Sequence, residues 1–149
     1  MKLHHVGLVT KNIQECSALY EALGYSRSTL VYDPIQMASI ALMHRSGETM
    51  IELIAPEHSQ SPAHKWLKRI KAGTYHLCYE TGSLPQAIGL MHGLGFVTVM
   101  DPVPAVAFED RQVAFLWSAL TGLVELVESV RVERNRHSGD VEEPLLAQF

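Results

Sequence analysis

The stretch of residues 3–9, LHHVGLV, decides the fold because the chain repeats it. Its alternation around a central glycine predicts a β-strand. Residues 75–80, YHLCYE, have the same character, and His76 follows His5 by 71 residues. A constant spacing between similar segments marks an internal repeat, which sets the architecture before any single motif is interpreted. We therefore expect two copies of one structural module.

The spacing persists beyond the first strand of each copy. It relates Gly24 to Gly95, each at the end of a predicted helix, and later lengthens to 73, as a two-residue insertion would produce. The segments related by the longer spacing are 39–43 with 112–116 and 51–54 with 124–127. Each copy thus carries one histidine on its first strand and one glutamate on its last: His5 and Glu52, then His76 and Glu125.

Each copy is predicted to run strand, helix, then three strands. Capping-box patterns open the two helices at residues 12–15 and at Ser83, and a glycine follows each helix. Pro102 and Pro104 predict an irregular loop after the second strand of the second copy. The predicted strands are about 3–9, 27–32, 37–44 and 49–55, then about 74–80, 96–100, 111–117 and 122–128.

A further helix is predicted between the copies. It opens at Ser61-Pro62, since proline is favoured at the first helical position, and ends at Gly73. Neither copy has enough hydrophobic surface to stand alone, so the two must pair. The prediction is one α+β domain, residues 1–130, made of two paired βαβββ modules, 3–57 and 74–128, joined by a helix at 61–72. The polar residues 131–149 are predicted to form a mobile C-terminal tail.

The composition excludes several classes of protein. Of the 149 residues, 47% are hydrophobic and 19% charged, as in an ordinary soluble domain. A net charge of −4 argues against a nucleic-acid partner. No apolar run is long enough for a membrane span, the N-terminus lacks the apolar stretch of a signal peptide, and two cysteines make no disulfide framework. We expect a cytoplasmic protein without nucleic-acid or membrane partners.

The recurring histidines and glutamates predict a metal site. If the modules pair about a pseudo-twofold axis, His5 faces His76 and Glu52 faces Glu125, so all four side chains converge on one point. Two neutral imidazoles and two carboxylates balance a divalent cation, and mixed nitrogen and oxygen ligands favour Ni, Co, Zn, Mn or Fe(II) over Ca. A six-coordinate ion would keep two adjacent positions for a substrate with neighbouring oxygen atoms.

The alternative to a metal site is a structural role for these residues. A single histidine on a strand is usually structural, and a glutamate on a half-exposed sheet faces water. Burying a carboxylate amid the apolar residues around Glu52 and Glu125 costs several kcal/mol unless it is paired or coordinated. The structural explanation gives no reason for both glutamates to recur at the repeat-equivalent position, so recurrence of all four residues favours the metal site.

At these four residues the chain resembles the vicinal oxygen chelate superfamily. That group includes glyoxalase I, methylmalonyl-CoA epimerase, extradiol dioxygenases and the fosfomycin and bleomycin resistance proteins. The stretches most similar to methylmalonyl-CoA epimerases and related glyoxalase-like proteins are 5–7 (HVG), 51–56 (IELIAP), 61–67 (SPAHKWL) and 124–128 (VELVE). The resemblance covers residues 3–128 and implies chemistry through a metal-bound enolate or enediolate.

One stretch departs from the epimerase pattern. Epimerases resemble each other in a Glu-Gln-Gly stretch entering the third strand, where the glutamate is a catalytic base. Here Gln36 is kept, but Ile35 stands where that glutamate would be. The carboxylates available as bases are Glu52 and Glu125, if either loosens from the metal, and Asp33 two residues before Ile35.

The leading functional hypothesis is a metal-dependent isomerase or lyase that moves a proton next to a carbonyl. An epimerase acting on an acyl thioester comes first, and a lactoylglutathione lyase second. The expected partner is a small-molecule substrate such as a CoA or glutathione thioester. A homodimer is one oligomeric state that the sequence allows. An extradiol dioxygenase would need only His5, His76 and Glu125, so Glu52 counts against it. A protein that binds a small ligand without catalysis is the alternative from another class.

Other residues carry weaker functional signals. Lysines on the connecting helix, such as Lys65, suit CoA phosphates but also an ordinary solvated helix face. Cys78 is expected to pack, and Arg111 to lie in a plain turn. The six histidines without a repeat partner are expected to be surface or structural: His4, His44, His58, His64, His92 and His137.

Overall fold

The computed structural model describes residues 1–130. The first module contains β1 (Lys2–Val9), α1 (Ile13–Ala22), β2 (Ser26–Arg27), β3 (Val31–Asp33), β4 (Ala38–His44) and β5 (Met50–Pro56). Helix α2 (Pro62–Ile70) leads to the second module, which contains β6 (Gly73–Thr81), α3 (Leu84–Gly93), β7 (Val97–Ala105), β8 (Arg111–Ser118) and β9 (Gly122–Glu128), with a short 3₁₀ turn at Val106–Phe108. The tail predicted at 131–149 lies outside the described residues.

The strands form a single nine-stranded sheet, so the predicted α+β class is confirmed. Its order is β2-β4-β5-β1-β6-β9-β8-β7, with β3 also paired to β4. The two modules meet where β1 pairs with β6 in antiparallel orientation. Within each module the first and last strands are parallel neighbours, β1 with β5 and β6 with β9. Each module therefore contributes two of the four central strands, β5 and β1 from the first and β6 and β9 from the second.

Helices α1 and α3 cover equivalent parts of the sheet. Ile13 of α1 packs into a buried cluster with Met43 and Leu53 of the first module. Met91 of α3 packs into the corresponding cluster with Leu116 and Leu126 of the second. Because these side chains occupy one face of β4, β5, β8 and β9, the opposite face is left for the remaining buried residues. No helix of the described chain is long and apolar enough to cross a membrane.

Four local details differ from the predictions. The strand predicted at about 27–32 is split into β2 and β3, so the first module has one more strand. Helix α2 ends at Ile70, with Lys71 rather than Gly73 as its C-cap. Ser83 is the N-cap of α3, but its side chain makes no capping hydrogen bond. Strand β7 continues through Pro102 and Pro104, which an edge strand tolerates because its outer N–H groups need no partner.

Two β-bulges interrupt the pairing of β1 with β6. Leu3 and His5 face the consecutive residues Tyr79 and Cys78, so His4 is an extra residue on β1. In the same way Tyr75 is an extra residue on β6. Repeat-equivalent bulges thus precede His5 and His76, and a bulge re-aims side chains relative to the alternation of a regular strand.

The two helix N-caps allow a matched stability test. The Asn12 side chain accepts a hydrogen bond from the Glu15 N–H, whereas Ser83 makes no such bond. We expect Asn12→Ala to lower the free energy of unfolding by about 1 kcal/mol and Ser83→Ala to lower it by only a few tenths. Urea denaturation of both variants measures the difference, and equal losses would contradict this account of the caps.

Candidate active site

Four buried side chains meet where the two modules join. His5 and His76 come from β1 and β6, and Glu52 and Glu125 from the neighbouring strands β5 and β9. Register explains the meeting, since Glu52 is level with Gly7, and Glu125 with Cys78, the repeat equivalent of Gly7. The structure thus brings together the four residues singled out in the sequence, each at most 2% exposed.

Three of the five distances within this cluster match those of adjacent ligands around one ion, and the two to Glu52 are slightly longer. The two imidazole Nε2 atoms lie 3.0 Å apart. His5 Nε2 is 3.3 Å from Glu52 Oε2 and 2.9 Å from Glu125 Oε2, and the corresponding distances from His76 Nε2 are 3.3 and 3.1 Å. Nitrogen and oxygen ligands at about 2.0–2.2 Å from a metal are separated by about 2.8–3.1 Å when they are adjacent in an octahedron. The donor set fits a divalent metal.

One buried oxygen supports this fit. Glu125 Oε2 has both imidazole nitrogens close to it, yet it accepts no hydrogen bond of acceptable geometry within the described chain. A buried acceptor in that condition costs free energy.

Without a metal, the cluster is held by its own charges. Burial alone would lower the pKa of His5, but the carboxylates of Glu52 and Glu125 raise it to about 10. The pKa of His76 is raised for the same reason. Burial alone would raise the pKa of each glutamate, but the imidazoles hold both pKa values below the usual range. Two imidazolium cations and two carboxylates together leave the cluster neutral.

Glycine at position 7 makes room for one of the imidazoles. Gly7 lies opposite His76 across the module boundary. A Cβ added at Gly7 would overlap the ring atoms of His76. The glycine of the HVG stretch is therefore required by space around the cluster.

His4 was expected to be surface or structural, and the structure places it against the cluster. The bulge turns its ring inward, and its Nδ1 lies 2.8 Å from His5 Nδ1. Burial, together with His5 and Arg111, lowers the pKa of His4 to about 4, so this ring is neutral at pH 7. Regular alternation turns position 4 away from the site, and only the bulge, which the sequence does not reveal, brings it back.

Arg111 also has a more specific place than the plain turn predicted for it. Its guanidinium lies 3.1 Å from His4 Nε2, 3.4 Å from Glu80 Oε1 and 3.3 Å from the Glu128 carbonyl oxygen. The guanidinium also lies over the Phe108 ring, 5.5 Å from its centroid. Arg111 therefore ties β8 to the outer side of His4.

Cys78 packs beside the cluster, as expected. It is fully buried and lies level with His5 on one neighbouring strand and with Glu125 on the other. Burial, reinforced by the Glu125 charge, raises the pKa of its thiol well above the usual range. Cys78 is thus a neutral packing group at physiological pH.

Asp33 lies apart from the four-residue cluster. Its carboxylate is buried at the end of β3, where Oδ1 accepts hydrogen bonds of 2.8 and 3.0 Å from the N–H groups of Ile35 and Gln36. These bonds close the turn between β3 and β4. Asp33 therefore has a structural task in the turn, and it does not line the cavity described next.

A cavity of about 600 Å³ adjoins the cluster. Tyr75 and Phe115 line it, and their rings lie 5.2 and 5.3 Å from the His76 ring. The other lining residues are Gln36, Gln60, Pro62, Lys65, Trp66, Val99, Met100, Trp117 and Leu123. Sequence reasoning had not identified this wall, which combines strands and the connecting helix. Its volume is that of a small-molecule site.

Two βαβββ modules with paired histidines and glutamates at their boundary define a glyoxalase-type domain. Residues 4–115 match the Glyoxalase/Bleomycin resistance protein/Dioxygenase superfamily. The chain belongs to this superfamily, and the resemblance seen in the sequence is confirmed.

Within the superfamily, the chain is similar to methylmalonyl-CoA epimerases. It is 28% identical to the mitochondrial enzyme of Dictyostelium discoideum over 130 residues, 85% of this chain and 78% of that protein. The Mycobacterium tuberculosis epimerase structure has a TM-score of 0.77 at 23% identity, covering 87% and 89% of the two chains. A variant Streptomyces coelicolor epimerase in complex with 2-nitronate-propionyl-CoA has a TM-score of 0.76 at 20% identity, covering 88% and 99%. At these identities the two structures show the shared fold.

The space above position 7 can be tested by Gly7→Ala. The added methyl group would push the His76 ring out of the cluster, so we expect a loss of stability of several kcal/mol or failure to fold. Gly89→Ala, in α3, is the control because nothing lies within 4 Å of the added atom and alanine favours a helix. Wild-type stability of Gly7→Ala in chemical denaturation would contradict the observed packing.

The charges of the cluster predict how stability of the metal-free protein depends on pH. The raised pKa of His5 gives stability that is fully present below 6.5 and is lost as pH rises towards about 10. The lowered pKa of His4 costs stability as pH falls from 6.5 towards about 4. The lowered glutamate pKa values add stability above 4.5 that is lost in more acidic solution.

We therefore expect the melting temperature in the presence of a chelator to be highest near pH 6.5 and to fall on both sides. Calorimetry between pH 4 and 9 measures the curve. Glu125→Gln should flatten the alkaline side, because it removes one of the charges that raise the pKa of His5. A melting temperature that rises from pH 6.5 to 9 would contradict this account of the buried charges.

Proposed function

We propose that this protein is a metal-dependent enzyme that moves a proton next to the carbonyl of an acyl thioester, as in methylmalonyl-CoA epimerase. The observation that carries the proposal is the buried cluster of two histidines and two glutamates beside a cavity of ligand size. Membership of the superfamily and similarity to epimerases support an enzyme of this type.

The metal would be held by His5, Glu52, His76 and Glu125. Imidazole and carboxylate ligands together favour Ni, Co, Zn, Mn or Fe(II). When bound, a divalent cation stabilises negative charge that develops on a carbonyl oxygen. The protein contributes a rigid set of donors, since each ligand lies on a central strand of the sheet.

The cavity would receive the acyl part of the substrate next to the cluster. Tyr75 and Phe115 form the wall shared with His76, which places a bound acyl group close to the four donors. Lys65 and Gln60 supply polar groups on the same cavity wall, suited to the amides and phosphates of a CoA chain. The CoA ligand in the Streptomyces structure supports this choice of substrate class.

The proton would be taken by one of the two cluster glutamates. Asp33 is the other carboxylate considered from sequence, but its Oδ1 already accepts two backbone hydrogen bonds in a turn. Ile35 supplies no carboxylate where epimerases have their usual base. Glu125 and Glu52 lie on opposite sides of the module boundary, so each can approach a different face of a substrate held between them.

The test is metal-dependent exchange in heavy water. A chelator first removes any metal, and samples of the metal-free protein are then loaded with Ni, Co, Zn, Mn or Fe(II). Each sample is incubated with methylmalonyl-CoA in heavy water, and mass spectrometry follows the incorporation of deuterium at the carbon next to the thioester carbonyl. We expect exchange above the uncatalysed rate with at least one metal and none after chelation. Metal content and the melting temperature, measured on the same samples, show whether the ion is bound.

Binding of metal and thioester without exchange would refute the enzyme and favour a ligand-binding protein. Failure to bind any of these metals would refute the proposed centre itself. Exchange with lactoylglutathione precursors but not with acyl-CoA would replace the epimerase by a lyase.

Glutamine variants test the assignment of the base. We expect Glu125→Gln to lose exchange by about 10²-fold or more at saturating metal, because it removes both charge and proton acceptor. Glu52→Gln should retain exchange of one stereoisomer, whereas Asp33→Asn should retain both. Glu128→Gln is the matched control on β9, outside the cluster. Full activity in both cluster variants would exclude the glutamates as bases, and loss with metal retained in Asp33→Asn would name Asp33 instead.

A further inference from the structure

The two histidines of the cluster are equivalent in the repeat but differ in their outer support. His5 Nδ1 lies 2.8 Å from His4 Nδ1. His76 Nδ1 is buried and has no hydrogen-bond partner within the described residues. The support comes from the bulge position, which is His4 in the first module and Tyr75 in the second.

Only one of the two bulge residues can accept a hydrogen bond from its neighbouring imidazole. The His4 ring is edge-on to His5, with centroids 5.1 Å apart, and brings nitrogen to nitrogen. Tyr75 meets His76 in a similar edge-on arrangement at 5.2 Å, but no hydrogen bond joins the two side chains. The two bulge residues therefore make contacts of similar shape, but only the contact of His4 with His5 joins two polar atoms.

The polarity of the His4–His5 contact follows from the proposed metal centre. His5 Nε2 must present a lone pair to a cation, so the ring proton of neutral His5 must sit on Nδ1. That N–H then needs an acceptor, and His4 Nδ1 is at hydrogen-bond distance. We propose that His4 is a positioning residue: it accepts the His5 Nδ1–H and so fixes the tautomer and orientation of His5. The inference rests on the proposed function for the role of His5.

The surroundings hold the His4 ring in place for this task. The Phe108 ring lies edge-on to it at 5.2 Å, and Arg111 closes its outer edge. A neutral imidazole has only one accepting nitrogen, so His4 cannot accept from both His5 and Arg111. If His4 accepts at Nδ1, its Nε2 carries the proton and faces Arg111 Nη2, a second donor 3.1 Å away, which must then turn aside. The rest of the guanidinium keeps its acceptors, since Nε donates to the Phe108 carbonyl oxygen and Nη1 to Glu80 and the Glu128 carbonyl oxygen.

The first test measures metal affinity by calorimetric titration of the chelated protein with Zn, Ni or Co. We expect His4→Phe, which keeps a ring without an acceptor, to weaken binding about 10–100-fold. His4→Asn, which places an amide oxygen near the position of Nδ1, should recover most of the affinity. His44→Phe is the control, since His44 is exposed at the end of β4. Unchanged affinity in His4→Phe would overturn the proposal.

The second test detects the hydrogen bond directly and needs no activity. In ¹⁵N-labelled wild-type protein, metal-free and loaded with diamagnetic Zn, we expect scalar coupling between the two Nδ1 atoms, with the proton on His5. Absence of coupling, or a proton residing on His4, would overturn the proposal even if His4→Phe failed to fold.

The two tests separate this inference from the proposed function. If the wild-type protein bound no metal, the metal centre would fail while the coupling still tested the His4–His5 bond. If metal bound and coupling were seen but methylmalonyl-CoA did not exchange, the positioning role would stand and the proposed reaction would fall.

Discussion

Antiparallel pairing of β1 with β6 is the interaction on which the rest of the structure depends. It joins the two modules into one sheet and sets His5 and His76 side by side. Each strand then has its own module's last strand as a parallel neighbour, which brings one glutamate to each side. A shift of one residue in this pairing would put the histidine and glutamate of one module on the opposite face of the sheet from those of the other.

Mutual charge compensation is the second constraint on this centre. Each of the four ionisable side chains would be costly to bury alone, since an unpaired buried charge loses its hydration. Together they form a neutral set at distances of 2.9–3.3 Å between histidine nitrogens and carboxylate oxygens. Removing one member therefore leaves a buried charge among the other three without its partner, which lowers the stability of the folded protein. Activity and stability must both be measured for each single variant.

The repeat made the main features predictable from sequence. A constant spacing identified the modules, and the alternation of strand faces predicted that Glu52 and Glu125 would meet the two histidines. The parts missed depend on local irregularity. His4 reaches His5 only through a bulge, and the β7 prolines fit a strand because it lies at an edge. Asp33 was considered as a base because it lies two residues before Ile35, and its hydrogen bonds to the turn amides cannot be read from spacing alone.

The location of the cluster across the module boundary has a consequence for folding kinetics. Its members come from strands far apart in the chain, and such long-range contacts form late because loop closure must precede them. A cation that needs all four ligands would then find no binding site in the folding transition state. Binding would lengthen the lifetime of the native protein by slowing unfolding, while the rate of folding stayed nearly unchanged.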